Sequence, residues 1–399
     1  MSFESKEIKL NTFFWIVLCI GFFLVSIFPS AFRIDSQIIT IPFRAFVLFF
    51  SAVIILRKFF QKSFKEFGIV EIAFVIFWII YFLKGVYTFQ NYAFIEKIKT
   101  KEIEIYLRIL GITFLPAFAI LNLKRQDFNF KISFKIIFFL VLLVLFLNIL
   151  FGIEHDKNGR SSGFMSMYPI SFGYWGVTLV LLSLYQILYK VISQKYFLYL
   201  SYLGVIIGLT IIYASGTRST LVAIIVGAFF LFYSKGMKKI MYSFTIAIIF
   251  GVIALLVYNP QTIGNKASSF FTRVTQTIKT GDSSGREVFY ELAIQIFKQN
   301  PIIGGRILYA DGMYPHNVFL EVLMATGIIG FVVYFLFFKD CIKYIIKVKS
   351  VAEIYPETIW IAVLWIQYFI LSLFSYNLHS SPEVWYLTAM VLVLNKDFK

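Results

Sequence analysis

The sequence predicts an all-α polytopic membrane protein of about twelve transmembrane helices, with one long extracytoplasmic loop carrying short helices. Three observations predict it. Of 399 residues, 59% are hydrophobic and only 15% are charged, at a mean hydropathy of +0.81. Apolar runs of roughly 20 residues, enough to cross a hydrocarbon core, follow one another along the chain. Cations gather in the short links between those runs. This composition excludes a soluble chain of two or three domains, and a backbone in lipid must satisfy its own hydrogen bonds, so the runs read as helices. The 49 Phe and 24 Tyr suit acyl chains and headgroups.

The first run, 12–31, is too long for a signal-peptide core and lacks a small-residue cleavage site, so it reads as a retained helix. The remaining spans fall near 40–56, 67–88, 103–121, 134–153, 168–189, 196–214, 218–234, 239–258, 316–337, 358–376 and 383–395. An even number of spans places both termini on one side. With that side cytoplasmic, the inner segments hold 21 Lys and Arg and the outer ones 14, of which six lie in 259–315. Long translocated loops hardly count, so 21 against 8 decides the orientation. Links such as 190–195 and 215–218 leave no room for a soluble domain. The chain therefore reads as one membrane domain, 1–399, with 259–315 inserted between spans 9 and 10. The lack of a convincing internal repeat weakens transporter architectures built on paired halves. A net charge of +16 would suit nucleic acid if it formed one face, but the cations are scattered, so lipid is the expected partner and nucleic acid is not. Cys19 lies within the first span and Cys341 beyond the tenth, which disfavours a bridge or a metal site.

Within the long loop, Phe270, Phe271, Val274 and Ile278 share one face of an interfacial helix over 266–280. Ser284-Gly-Arg-Glu287 is a capping-box pattern. Val288, Phe289, Leu292, Ala293, Ile296 and Phe297 then recur at helical spacing until Asn300-Pro301 stops the run. Arg286 falls in the first turn. Residues 302–315, rich in Gly and Tyr, read as a loop leading to the next span.

The three histidines, His155, His316 and His379, all fall on the outer side. His155 and His379 read as solvated loop residues. His316, after Pro315 at the mouth of a span, faces exposed helix amides that disfavour an imidazolium and keep the ring neutral. By position it is equally a base and an interfacial cap. Arg218 closes the turn Ser215-Gly-Thr-Arg218 beside an apolar run, where a guanidinium either snorkels to the surface or meets a phosphate. Arg273, Arg286 and Arg306 in the loop are each ordinary solvated charges alone; together they offer an anion site. Arg44 and Arg108 lie a few residues inside the outer ends of their spans, where a charge needs water or a partner, so they either line the same cavity or reach headgroups. Glu71 suits topology or helix pairing. Gly327-Ile-Ile-Gly330 suits close helix packing. No Walker loop, dinucleotide fingerprint, HExxH helix or carboxylate cage is present, so neither cofactor nor metal is expected.

Pro315-His316-Asn317, nine residues and then Gly327-Ile-Ile-Gly330 resembles the His-Asn-x9-Gly-x-x-Gly signature of the O-antigen ligase and polymerase family. Ser215-Gly-Thr-Arg-Ser-Thr-Leu221 is similar to that family's polar turn before a span. Ser284-Gly-Arg-Glu, followed by Asn300-Pro-Ile-Ile-Gly304, resembles its loop pattern. The likeness covers roughly 200 to 335. Where the family commonly has Gly-x-Gly, this chain reads Gly304-Gly305-Arg306, and Arg306 is a candidate substitute for another basic contact.

The resemblance implies a GT-C-like, metal-independent, inverting glycosyltransferase of the bacterial inner membrane. It would move a glycan from an undecaprenyl diphosphate donor to an acceptor sugar hydroxyl on the periplasmic side. His316 would be the general base, Arg218 and Arg286 would hold the departing diphosphate, and Asn317 would orient the His or a sugar. Arg306, Arg273, Arg108 and Arg44 are further substrate-binding candidates. A ligase, with lipid A core as acceptor, is favoured because the likeness is clean around the single long loop. A polymerase, with a lipid-linked repeat unit as acceptor, stands close behind. The rival of another class is a lipid-linked oligosaccharide flippase or other transporter, which predicts deep charges on both sides of the midplane; here the candidates crowd the outer face.

Overall fold

The structure, a computed structural model, describes residues 3–32, 35–61, 67–92, 101–151, 154–155, 161–162, 169–257 and 285–396. In chain order the helices are α1 (Phe3–Phe32), α2 (Ser36–Phe60), α3 (Ile69–Asn91), α4 (Glu102–Leu107), a π-helical stretch Arg108–Phe114, α5 (Leu115–Leu121), α6 (Phe130–Phe151), α7 (Pro169–Tyr189), α8 (Lys195–Ser215), α9 (Arg218–Ser234), α10 (Lys238–Val257), α11 (Arg286–Gln299), α12 (Val318–Ile346), α13 (Val348–Ile354), α14 (Ile359–Ser372) and α15 (Pro382–Lys396). Glu154–His155 and Ser161–Ser162 form a two-residue antiparallel pair.

Among the described residues, eight helices are long and apolar enough to cross a membrane, or nine if α13 and the Pro356–Ser372 segment, bent by 119°, count as one. Helices stand at the remaining expected positions too. Two of them, α9 and α15, have 17 and 15 residues, short of the roughly 20 a perpendicular crossing takes. Among the described residues, length and composition thus support eight or nine of the expected twelve crossings. The interfacial helix expected over 266–280, with Arg273, lies outside the described residues.

The helices group into two units interleaved along the chain. In the first (Met1–Ile41, Asn129–Ser283, Lys347–Ile370), α7 and α8 form a hairpin so close that a Cβ on Gly208 would lie 2.7 Å from the Gly176 carbonyl oxygen, and one on Gly204 would lie 2.3 Å from Ser183 Oγ. Lipid supplies no hydrophobic drive between helices, so such small-residue contact is the expected association device. Gln367 Nε2 ties α14 to α7 through Tyr174 O (3.0 Å) and Thr178 Oγ1 (2.8 Å). Gly216, left-handed at φ 60, ends α8, and α9 begins two residues later at Arg218.

The second unit (Pro42–Phe128, Ser284–Ile346, Leu371–Lys399) is built on α3, α12 and α15. Phe77, Trp78, Phe337 and Trp385 pack edge-to-face or stacked, Trp78 and Trp385 at 4.7 Å between centroids. Each such pair contributes about 0.5–1.5 kcal/mol beyond burial. Much of the aromatic content therefore serves the interior as well as lipid. The buried Glu71 pairs with Lys396, so the helix-pairing reading of that carboxylate holds. Neither Cys19 nor Cys341 forms a disulfide among the described residues.

Candidate functional site

The start of α12 organises the second unit's polar end. Asn317 Oδ1 accepts the backbone N–H groups of Phe319 (3.1 Å) and Leu320 (3.2 Å), an N-cap arrangement, and its Nδ2 donates to the Leu373 carbonyl at 3.3 Å. The cap is therefore Asn317, and the interfacial-cap reading of His316 falls away. His316 stands one residue earlier at φ 57, a left-handed conformation that costs a non-glycine residue on the order of 1–3 kcal/mol and persists only where neighbours impose it. Those neighbours are Phe289, 5.6 Å away and edge-on, and Tyr314, with ring centroids 4.3 Å apart.

Ser375, in the 373–381 link between α14 and α15, joins the parts. Its carbonyl accepts a His316 ring N–H and the Tyr314 hydroxyl at 3.2 Å, while its Oγ accepts from Arg286 Nη2 at 3.5 Å. One imidazole nitrogen is thereby committed as a donor and the other keeps its lone pair. Burial of the ring, then the nearby Arg286 charge, hold His316 below its ordinary value of 6.5, against the opposing pull of the Ser375 bond. Burial and the Arg286 charge act in the direction of the neutral ring expected from the sequence.

Arg286 is the first residue of α11, whose amides add positive potential at that end. Its N-cap is Gly285, left-handed at φ 74 and without a capping side chain; the expected capping residue Ser284 lies outside the described residues. Of the predicted apolar face, Phe289, Ala293 and Ile296 pack on Tyr309, Met324 and Leu320, while Val288 is 60% exposed. The Tyr309 hydroxyl donates to the Phe289 carbonyl. α11 is thus fastened to the first turns of α12, with Arg286 held near His316.

The segment after α11 explains two sequence motifs at once. α12 is broken at Gly327 (φ 63, ψ −162), and the loop 300–305 fills the break: Gly305 N–H bonds Met324 O (2.8 Å), while Ile328 and Ile329 N–H bond Pro301 O (2.9 Å) and Ile302 O (3.1 Å). Lys84 Nζ donates to Gly304 O at 2.8 Å. Backbone groups freed by the break are satisfied by other backbone, which the membrane interior requires. The helix-packing reading of Gly327 is corrected accordingly: Gly327 permits a break, and close small-residue helix packing is seen between α7 and α8. Gly305 also lies against Ile296, where a Cβ would come within 2.6 Å of its Cγ2. Arg306 stacks over Tyr92, 5.3 Å from the ring centroid.

A second polar constellation lies in the same unit. Glu321, one turn into α12 and fully buried, accepts the Tyr81 hydroxyl (2.8 Å) and, on both oxygens, the Leu378 N–H (3.2 and 3.1 Å). Tyr81 oxygen lies 3.3 Å from His379 Nδ1. The Tyr81 hydrogen is committed to the carboxylate, so Nδ1–H donates and His379 Nε2 is the free acceptor. The solvated-loop reading of His379 is corrected: its side chain is buried, its carbonyl accepts from Thr113 Oγ1 (3.2 Å), and burial, then the Arg108 charge, hold its ring down at about 3. Arg108, opening the π-helical stretch, a distortion frequent at functional sites, bonds Glu104 (2.6 Å) and Ser380 (3.2 Å). Arg44 meets the same carboxylate at 3.5 Å. Arg108 lines a cavity of about 190 Å³ with Lys101, Tyr314, Asn377, His379 and Ser380.

Of the residues singled out from sequence, the structure gathers His316, Asn317 and Arg286 around Ser375, and joins Arg44 and Arg108 through Glu104. Arg306 stands on Tyr92. Arg218 belongs to the first unit, and Arg273 is outside the described residues. Sequence reasoning missed Ser375, Tyr314, Glu104, Glu321 and Tyr81. The available signals were the polar run Ser375–Ser381 between two apolar stretches and single carboxyl groups within apolar ones. Among the described residues no three His, Cys, Asp or Glu side chains gather as metal ligands would. Residues 203–335 match the family model described as O-antigen ligase. A search of curated proteins found no match.

Proposed function

With residues 203–335 an O-antigen ligase family segment, we propose that the protein is a membrane glycosyltransferase moving a glycan from undecaprenyl diphosphate to an acceptor sugar hydroxyl, with lipid A core as the acceptor. The observation that carries this reading is the His316–Ser375–Arg286 cluster. The neutral His316 ring, oriented by the Ser375 carbonyl, takes the proton of the acceptor hydroxyl. The resulting oxygen attacks the anomeric carbon as the bond to the diphosphate breaks, inverting that centre. The leaving diphosphate carries away the electron pair, and Arg286 at its helix N-terminus meets the developing negative charge. The sequence resemblance assigns Arg218 to the same diphosphate, a role for Arg218→Gln to test on its own. The charge distribution between the twelve spans read from the sequence supports a periplasmic site in the inner membrane with both termini cytoplasmic.

Purified protein supplied with a lipid-linked donor and a core-sugar acceptor is expected to transfer the glycan, and His316→Ala to abolish transfer while leaving membrane insertion intact. Full activity of that variant removes the histidine from the mechanism. Transfer to lipid-linked repeat units alone makes the protein the family's polymerase. Movement of the lipid-linked glycan across the bilayer without transfer makes it a transporter.

A further inference from the structure

We infer that the cavity between the π-helical stretch and the 373–381 link is the acceptor subsite, shaped for a single sugar unit bearing a phosphate or carboxylate. The inference rests on the glycosyltransferase reading and adds to it the chemical class of the acceptor.

Size comes first. At about 190 Å³ the cavity is smaller than the roughly 300–1,000 Å³ of sites for drug-sized ligands. It suits one monosaccharide with a substituent. Charge comes next. Among the described residues, Lys101, Arg108 and Arg44 all act on the Glu104 carboxylate, so positive charge exceeds negative there. Arg108 Nε is also buried without a hydrogen-bond partner among the described residues, and a buried donor left unsatisfied is costly unless a ligand meets it. A guanidinium so placed favours an oxyanion over a neutral hydroxyl.

The remaining lining provides uncharged groups of the kind sugars engage. Nε2 of His379 is an acceptor, fixed as such by the bond from Nδ1 to Tyr81. The Ser380 hydroxyl, which accepts from Arg108, keeps its own hydrogen to donate. Position is the third consideration. Tyr314 lines this cavity and also lies 4.3 Å from the His316 ring, so one aromatic side chain separates the subsite from the base. A sugar seated here by its anionic substituent would direct another of its hydroxyls past Tyr314.

The test compares two acceptor glycans identical except for a terminal sugar that is neutral or carries an acidic group, with protein in zwitterionic vesicles. Wild type is expected to favour the acidic acceptor by at least about tenfold in kcat/KM, the order of one charge-assisted hydrogen bond. Arg108→Met and, as an exposed position that does not threaten folding, Lys101→Met should move the ratio towards one. A wild-type ratio of one, or variants that leave it unchanged, overturns the inference. Direct titration of purified protein with glucose 6-phosphate, glucose and phosphatidylglycerol vesicles reads the cavity independently of turnover. Saturable binding of glucose 6-phosphate alone supports a sugar subsite, and binding of the vesicles alone makes it a headgroup site and overturns the inference. Absence of transfer together with saturable sugar-phosphate binding defeats the glycosyltransferase reading and leaves the anionic-sugar site standing.

Discussion

Gly304 and Gly327 meet backbone to backbone. A Cβ on Gly327 would lie 2.4 Å from Gly304 N, and one on Gly304 would lie 2.4 Å from main-chain atoms of Ala325 and Thr326. Both are left-handed, at φ 74 and 63. Through this contact the loop leaving α11 enters the break in α12, so the helix bearing Arg286 and the helix that His316 precedes are registered to each other.

Gly327→Ala combines an alanine at φ 63, ψ −162, a region essentially confined to glycine and costing on the order of 1–3 kcal/mol, with a backbone clash that no rotamer relieves. Gly236 is the control: it is left-handed at φ 73, but nothing lies within 4 Å of its Cβ position. In detergent, Gly236→Ala should lower the melting temperature slightly. Gly327→Ala and Gly304→Ala should lower it several-fold more and lose transfer with it. Equal losses at all three positions would show that the junction contributes nothing beyond φ.

The parts of that junction were legible in the sequence, and their meeting was not. Asn300-Pro301 marks the end of α11 because proline lacks the N–H that a helix needs, and periodicity placed Arg286 in its first turn. The break at Gly327 is hidden because the residues around it, from Met324 to Val333, are continuously helix-compatible, and only the loop docked against them shows why glycine is there. His379 departs from its solvated-loop expectation for the same reason: Asn377-Leu-His-Ser380 reads as an ordinary polar turn, while its burial depends on Tyr81 and Thr113, some 270 to 300 residues earlier in the chain. Glu321 is invisible to periodicity, since a single carboxyl within an apolar run changes no pattern. Its partners make it structural.

The pH dependence of transfer separates the causes acting on His316. A base must be neutral to accept a proton, so activity falls as pH drops through its pKa. Burial and Arg286 hold that pKa below 6.5, so the acid limb of kcat/KM should lie below pH 6.5. Arg286→Met removes one of the two depressing influences and keeps the Ser375 bond to the ring. Its acid limb should move to higher pH, alongside a fall in rate from the lost anion contact. A limb that stays in place while the rate falls would confine Arg286 to the leaving group.

Glu321 holds Leu378 and Tyr81 from the core of the second unit, and Leu378 lies three residues beyond Ser375. Glu321→Gln preserves shape and one acceptor, but sets an amide NH2 against the Leu378 N–H where Oε2 accepted it at 3.1 Å. Stability should fall by about 1–3 kcal/mol. Transfer should fall as well, because the Ser375 carbonyl loses its support. Tyr81→Phe removes the bonds to Glu321 and His379 but leaves the Leu378 bonds in place, so it should destabilise while losing less transfer than Glu321→Gln. Activity retained at destabilising temperatures in Glu321→Gln would detach the carboxylate from the site.

His379 makes a prediction about stability that does not involve transfer at all. In the folded protein its ring is held at about 3 by burial and by Arg108, whereas in the unfolded chain it titrates near 6.5. Below pH 6.5 the unfolded chain therefore binds a proton that the folded chain refuses, and the difference in bound protons makes stability rise with pH. Stability is unaffected above the unfolded value and declines as the pH falls from about 6.5 towards 3, at up to about 1.4 kcal/mol per pH unit from this one group. His379→Asn sets its amide nitrogen where Nδ1 stands, able to donate to the Tyr81 oxygen, and cannot take up that proton. Melting temperatures measured between pH 7.5 and 4.5 should show a shallower decline for the variant than for the wild type. Parallel curves would mean that His379 is protonated in the fold, and that the Tyr81 oxygen and the Arg108 charge do not hold it neutral.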